Sequence, residues 1–147
     1  MIILKQYNDC DYSIIQDFFS KKEIDKYMNR GIYRILSLFA IYKSHFYLLW
    51  NNNEVIGCGV TRWKWSREFC CFGWWLYAIW IHPNYRGSGK GVILMTKLIE
   101  ELKKQKKIKK ILLNVDITNT IAKNLYKKIG FEEVKQVTNQ IIMQYEL

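Results

Sequence analysis

Ile79-Trp80-Ile81-His82-Pro83-Asn84-Tyr85-Arg86-Gly87-Ser88-Gly89-Lys90-Gly91 changes secondary structure within a few residues. The aromatic and β-branched residues from Phe69 to His82 predict a long strand, and Pro83 stops it. Leu94, Leu98 and Leu102 then recur at i, i+4 spacing, with Glu100 and Lys104 as a supporting pair, which predicts a helix from Gly89 to about Lys107. Between strand and helix, glycines at alternate positions let the backbone approach a ligand and turn its N–H groups inward. The helix start adds unpaired N–H groups and a positive dipole end. With Arg86 and Lys90 beside it, the turn predicts a phosphate-bearing ligand. Two nucleotide-binding motifs fail here. A Walker A loop ending at Gly89-Lys90 needs Gly at 84 and Ser or Thr at 91, but the chain has Asn84 and Gly91. A dinucleotide G-x-G-x-x-G from Gly87 needs a small residue where Val92 sits.

Downstream, Ile111 to Asp116 reads as a strand. Thr118 to Ile129 reads as an amphipathic helix with Ala122, Leu125, Tyr126 and Ile129 on one face and Gly130 as its stop. Two strands, 131–137 and 140–146, close the chain. Upstream, residues 2–7 suit a first strand. Asp11 is placed to cap a helix carrying Ile14, Ile15, Phe18 and Phe19. A second helical region covers 22–43, with Gly31 able to split it. Strands His45 to Trp50 and Glu54 to Trp63 flank the hairpin signal Asn51-Asn52-Asn53. The order β-α-α-β-β-β-α-β-α-β-β predicts an α/β (α+β) fold, a central mixed sheet flanked by helices, with strands 69–82 and 111–116 joined by a parallel crossover.

Composition bounds the function. The 147 residues, half of them hydrophobic, fit a single domain over 1–147 with its own core. The N-terminal apolar run is too short for a signal peptide, and Phe69 to Ile81 falls short of the roughly 20 residues that span a bilayer. The expectation is a cytoplasmic protein with no membrane partner. Cys10, Cys58, Cys70 and Cys71 lack C-x-x-C spacing, and His45 and His82 are the only histidines, so no metal site is expected and the cysteines read as buried free thiols. The net charge is +10, and removing the six lysines between Lys103 and Lys110 would leave +4. Such a run is read as a solvated helix end whose lysines suit the dipole, or as attraction to an anionic partner such as nucleic acid or a phosphorylated cofactor.

Arg86-x-x-Gly89-x-Gly91 resembles the Q/R-x-x-G-x-G/A signature of the GNAT superfamily of N-acetyltransferases, which grips the CoA pyrophosphate. The match gains force from Asn119-Thr120-Ile121-Ala122-Lys123-Asn124-Leu125-Tyr126-Lys127-Lys128-Ile129-Gly130-Phe131. This segment is similar to the superfamily's N-x-x-A-x-x-L-Y-x-K-x-G-F at every fixed position. One helix and one strand separate the motifs, as in the family. Together they cover about residues 74–134, while the N-terminal half matches only in the order of its elements.

The resemblance implies acetyl-CoA as acyl donor and a primary amine of a small molecule or peptide as acceptor. It implies that the backbone of Ile79, Trp80 and Ile81 pairs with the pantetheine arm, an N–H there polarising the thioester carbonyl. Arg86 and the N–H groups of Gly87, Ser88, Gly89, Lys90, Gly91 and Val92 would hold the pyrophosphate. Asn119 would bond the arm, and Tyr126 would sit beside the sulfur as general acid, since a phenol is protonated at neutral pH. The base is left open. Many relatives carry Glu on the strand before the phosphate turn, but Trp74 to Ile81 contains no carboxylate, and the position where ribosomal-protein N-terminal acetyltransferases often have Glu is Asn114. Asp116, His45, His82, Tyr77 and a water chain are the candidates, with His82 read as structural. The aromatic residues between Trp63 and Trp80 suit sheet packing or an acceptor pocket. Alternatives to small-molecule or peptide acetylation are an RNA-directed, aminoacyl-tRNA-modifying enzyme and a non-catalytic acyl-CoA-binding module. A homodimer is compatible with the family.

Overall fold

The computed structural model describes residues 1–7, 13, 14, 17, 44–105 and 108–147. The helices expected over 11–19 and 22–43 lie outside these residues, apart from Ser13, Ile14 and Asp17, which are helical. The described elements are β1 (Ile2–Tyr7), β2 (Ser44–Asn51), β3 (Glu54–Ser66), β4 (Cys71–Ile81), α1 (Lys90–Lys103), β5 (Lys110–Asp116), α2 (Thr120–Ile129), β6 (Glu132–Val137) and β7 (Gln140–Glu146). The strands form one sheet in the order β1-β2-β3-β4-β5-β7-β6. Among the described strands only β4 and β5 pair in parallel, joined through α1, as the expected crossover requires.

The core lies between the sheet and the two helices. From α1, Leu94, Met95, Leu98, Ile99 and Leu102 pack on Trp74, Leu76, Ile111, Leu113 and Met143. Burying side chains of this size stabilises the fold by roughly 1.5–3 kcal/mol each. The opposite face carries a second cluster of Phe46, Leu48, Cys58, Val60 and Trp80, and a third of Trp75, Leu112 and Ile142.

Several boundaries differ from the sequence reading. The β3–β4 hairpin is longer than expected, pairing Trp63 with Trp74, Trp65 with Phe72 and Ser66 with Cys71. Cross-strand aromatic pairs extend the ladder, so Phe69 and Cys70 fall in the turn instead of the strand. The helix ends at Lys103, short of Lys107, because Lys104 and Gln105 N–H bond back three residues to Glu101 and Leu102 carbonyls. Leu102 is the last apolar side chain that α1 buries. Cys58 is buried, and burial pushes its thiol up, but Cys70 is exposed, contrary to expectation, because it sits at φ 48° in the hairpin turn. Among the described residues no helix is long and apolar enough to cross a membrane, and no group of His, Cys, Asp and Glu is arranged to hold a metal ion.

Candidate active site

The sheet opens where the two motifs converge. Parallel pairing between β4 and β5 covers only Trp74 with Ile111, Trp75 with Leu112 and Leu76 with Leu113. Beyond Leu76 both strands continue, to Ile81 and Asp116, without pairing to each other. A bulge in β4 accounts for the parting. Cys58 opposes Trp80 and Val60 opposes Tyr77, so Ala78 and Ile79 together face Gly59. Ala78 takes φ 50°, an unusual backbone for alanine, and the Cys58 thiol donates to its carbonyl at 3.6 Å. The β4 edge from Tyr77 to Ile81 therefore borders a gap, with strand N–H and C=O groups along it. Ile79, Trp80 and Ile81 lie on this edge.

The phosphate turn is built next to it. Pro83–Tyr85 form one turn of 3-10 helix, capped by His82, whose Nδ1 accepts from Asn84 N–H at 3.2 Å. The His82 ring packs edge-on against Trp80 and Tyr85, with centroids 5.8 and 5.9 Å away. Arg86 donates from Nε to Ile81 O at 2.9 Å, tying the turn to the strand end. Ser88 Oγ donates to Tyr85 O at 2.6 Å, and the Tyr85 hydroxyl donates to the Glu54 carboxylate. Gly87 and Gly89 adopt φ 73° and 77°, where a side chain is strained, and the space a Cβ would occupy at either is open. Gly89 is the N-cap of α1 and offers no side-chain cap, so the first-turn N–H groups of Lys90, Gly91 and Val92 face outward for a ligand. Gly91 has a different task. A Cβ there would come within 3.1 Å of Leu125 Cδ2, so this glycine lets α1 pack on α2.

Across the gap, the second motif starts α2. Asn119 is its N-cap, with Oδ1 accepting from Ala122 N–H at 3.1 Å. Its side-chain carbonyl is thus committed to the helix, which leaves the Nδ2 amide as its remaining donor. Tyr126 is only 8% exposed and packs against Phe131 at 6.0 Å. Burial alone pushes its phenol up to about 12, so it is protonated at every physiological pH.

The base candidates separate. The Asp116 carboxylate accepts from Thr118 N–H at 2.8 Å and Thr118 Oγ at 2.6 Å, which holds its pKa below the usual aspartate value and makes it a turn cap. His45 packs 5.4 Å from Trp74 on the α1 side of the sheet. Tyr77 lies at the bulge, and burial first, against the opposing charge of Arg62, pushes its phenol up to about 12. The lowered pKa of Asp116 and the raised pKa of Tyr77 each disfavour a role as proton acceptor near neutral pH.

The structure brings in two residues that the sequence reading missed. On the face away from α1, beside the point where β4 and β5 part, a polar cleft of about 120 Å³ is lined by Lys64, Glu68, Trp75, Asn114, Thr138 and Gln140, among others. The Glu68 carboxylate accepts from Ser66 Oγ at 2.9 Å. Its own backbone N–H and then Ser66 keep its pKa below the usual glutamate range. The Lys64 ammonium sits 4.1 Å over the Trp75 ring, and burial, then Arg62, lowers its pKa. Glu68 belongs to the hairpin turn, so only the folding of β3 on β4 brings it opposite Asn114.

The model of the acetyltransferase (GNAT) family matches residues 11–131. The chain belongs to this family. It is 37% identical over 83 residues to the [ribosomal protein bS18]-alanine N-acetyltransferase of Haemophilus influenzae, covering 56% of this chain and 51% of that protein. It is 28% identical over 100 residues to an N-alpha-acetyltransferase of Sulfurisphaera tokodaii, covering 64% of this chain and 60% of that one. The matched stretches thus span between half and two thirds of these curated relatives. The PaiA N-acetyltransferase of Thermoplasma acidophilum, solved with coenzyme A, superposes over all of this chain and 99% of its own with a TM-score of 0.73 at 16% identity. That likeness establishes the GNAT fold.

Proposed function

We propose that this chain transfers acetyl from acetyl-CoA to a primary amine of a small molecule or peptide, by direct attack in a ternary complex. The observation that carries the proposal is the gap between β4 and β5, with the uncapped Gly87–Gly91 turn at one end. The gap suits the pantetheine arm, extended along Ile79, Trp80 and Ile81. The turn suits the pyrophosphate, held by Arg86 and by the N–H groups of Gly87, Ser88, Gly89, Lys90, Gly91 and Val92. The Asn119 Nδ2 amide donates to the arm. The names of the relatives, both N-terminal or alanine N-acetyltransferases, support an amine as acceptor.

In the reaction the free amine attacks the thioester carbonyl carbon from the Lys64–Glu68–Asn114 side. A C–N bond forms, and negative charge develops on the carbonyl oxygen, where an N–H of the open β4 edge stabilises it. The C–S bond then breaks and the thiolate leaves toward Tyr126. Glu68 is the carboxylate lining the cleft. It attracts the protonated amine; that proton passes to solvent before attack, and the one the nitrogen sheds as the C–N bond forms passes to solvent as well. With its phenol at about 12, Tyr126 lies well above an ordinary thiol near 8.5, so its proton stays on oxygen. It acts on the leaving sulfur as a hydrogen-bond donor more than as a full proton donor.

The test is CoA release from acetyl-CoA with separate pools of amino-terminal peptides, polyamines, aminoglycosides and aminoacyl-tRNA. Release with one amine class supports the reading. Tight acetyl-CoA binding without release from any pool would favour a non-catalytic binding module, and absence of binding would refute the cofactor assignment.

A further inference from the structure

At the far end of β4 from the phosphate turn lies a surface that acetyl transfer does not use. Trp65 is 50% exposed and Phe72 56%, although Trp74, Trp75 and Trp80 on the same hairpin are buried. Trp63 stacks on Phe72 with planes 8° apart and centroids 6.0 Å apart, and Trp65 meets Phe72 edge-on at 5.2 Å. The alternation along β3 and β4 puts these rings on the α1 side of the sheet, beyond the last buried turn of that helix. A cleft of about 160 Å³ separates Trp63 and Phe72 from Lys109, just before β5, whereas the Lys110 ammonium lies 4.4 Å over Phe69 on the opposite face. Lys103, over the Tyr145 ring at 5.5 Å, continues the cations toward β7. From β4 through β5 to β7 the path is about 10 Å, two inter-strand spacings. Nearby acids are engaged elsewhere: Glu101 with Lys104 at 2.5 Å, and Glu146 with the Gln144 amide at 2.9 Å.

We propose that this surface binds single-stranded RNA, with bases stacking on Trp65 and Phe72 and phosphates following Lys109 and Lys103. Exposed aromatic faces beside a line of cations are what unpaired, splayed bases on a charged backbone require. An acidic peptide would satisfy the lysines but leave the rings bare. A second copy of the chain would cover the rings but bring two lysine clusters of like charge together. Duplex RNA hides its base faces. The site is independent of the acetyl-CoA gap.

The experiment is fluorescence anisotropy of a labelled 12-nucleotide oligouridine with the full chain between 50 and 200 mM salt. Duplex RNA and polyglutamate serve as competitors. Two phosphate contacts predict a log–log salt slope of about −1.4. Trp65→Ala and Phe72→Ala are each expected to weaken binding roughly tenfold without changing that slope. Lys109→Gln is expected to reduce the slope by about 0.7. Acetyl-CoA binding is expected to be the same in all three variants, which shows that they fold and keeps this result separate from the proposed catalysis. Absence of binding at 50 mM salt would overturn the proposal. So would unchanged affinity in both aromatic variants, or equal competition by polyglutamate or duplex. Sedimentation showing a dimer that Trp65→Ala dissociates, with no oligouridine bound, would assign the patch to self-association instead.

Discussion

Replacing Tyr126 by Phe removes one oxygen and separates chemistry from structure. Burial takes this phenol from 10.0 to about 12, and each pKa unit corresponds to 1.36 kcal/mol. Placing negative charge on Tyr126 therefore costs about 3 kcal/mol more than on an exposed tyrosine. The side chain contributes to the reaction as a neutral donor to the departing thiolate. Hydrogen bonds to charged groups are worth about 1.5–3 kcal/mol, which predicts that kcat falls about 10- to 100-fold in Y126F. Acetyl-CoA affinity and the acceptor KM should stay within about threefold, because the interaction forms only as sulfur charge develops. The assay is initial-rate CoA release, read with a thiol reagent, with acetyl-CoA affinity measured in parallel. Stability supplies the control. No hydrogen bond contributes to the Tyr126 shift, so the variant should unfold in urea within about 0.5 kcal/mol of the parent at neutral pH. At alkaline pH the parent should lose stability as pH rises from 10 toward 12. The unfolded phenol releases its proton first, so the folded state binds more protons across that window. Y126F should lack about 3 kcal/mol of that loss. A kcat lowered less than threefold with normal acetyl-CoA binding would refute the leaving-group role. A loss of more than 2 kcal/mol at neutral pH would show that the hydroxyl holds the fold instead.

Other substitutions address the remaining parts of the site. Glu68→Gln should lower kcat/KM for a cationic acceptor about tenfold, an effect that shrinks with added salt; unchanged kinetics would remove Glu68 from the acceptor path. Because Ser66 and its own backbone hold Glu68 ionised below the usual glutamate range, the acid limb of the wild-type pH–rate profile should follow the acceptor amine, shifting when the amine is changed. Asn119→Ala should cost about 1 kcal/mol of stability through loss of the α2 cap, whereas Asn119→Asp keeps the cap; acetyl-CoA binding weakened in both variants would identify the Nδ2 amide as the ligand donor, and unchanged binding in the alanine variant would rule it out. Gly89→Ala, at φ 77°, should destabilise the chain by about 1–2 kcal/mol and weaken acetyl-CoA binding, while equal binding in the alanine variant would disconnect this turn from the cofactor.

The sheet, the crossover and both described helices were legible because their signals are local. Pro83 and the glycines after it mark a strand-to-helix turn, and Leu94, Leu98 and Leu102 announce the face that α1 buries. The parting of β4 from β5 was not legible. It depends on a bulge at Ala78, a residue that normally avoids positive φ and so gives no local warning. Gly91 belongs to the phosphate signature, yet its constraint is contact with Leu125, which sequence spacing does not reveal. The Asp116–Thr118 turn carried a readable cue, since an aspartate two residues before a threonine often caps its own backbone. Lys64 and Glu68 were hidden for a topological reason. They are 50 and 46 residues from Asn114 in sequence, and they meet it only after β3, β4 and β5 assemble.

Amide hydrogen exchange of the full chain with and without acetyl-CoA tests the placement of the cofactor most directly. The proposal predicts slowed exchange at Ile79–Ile81, along the open β4 edge, and at Gly87–Val92, where the helix start meets the pyrophosphate. Protection confined to other elements, with these two segments unchanged at saturating acetyl-CoA, would contradict it.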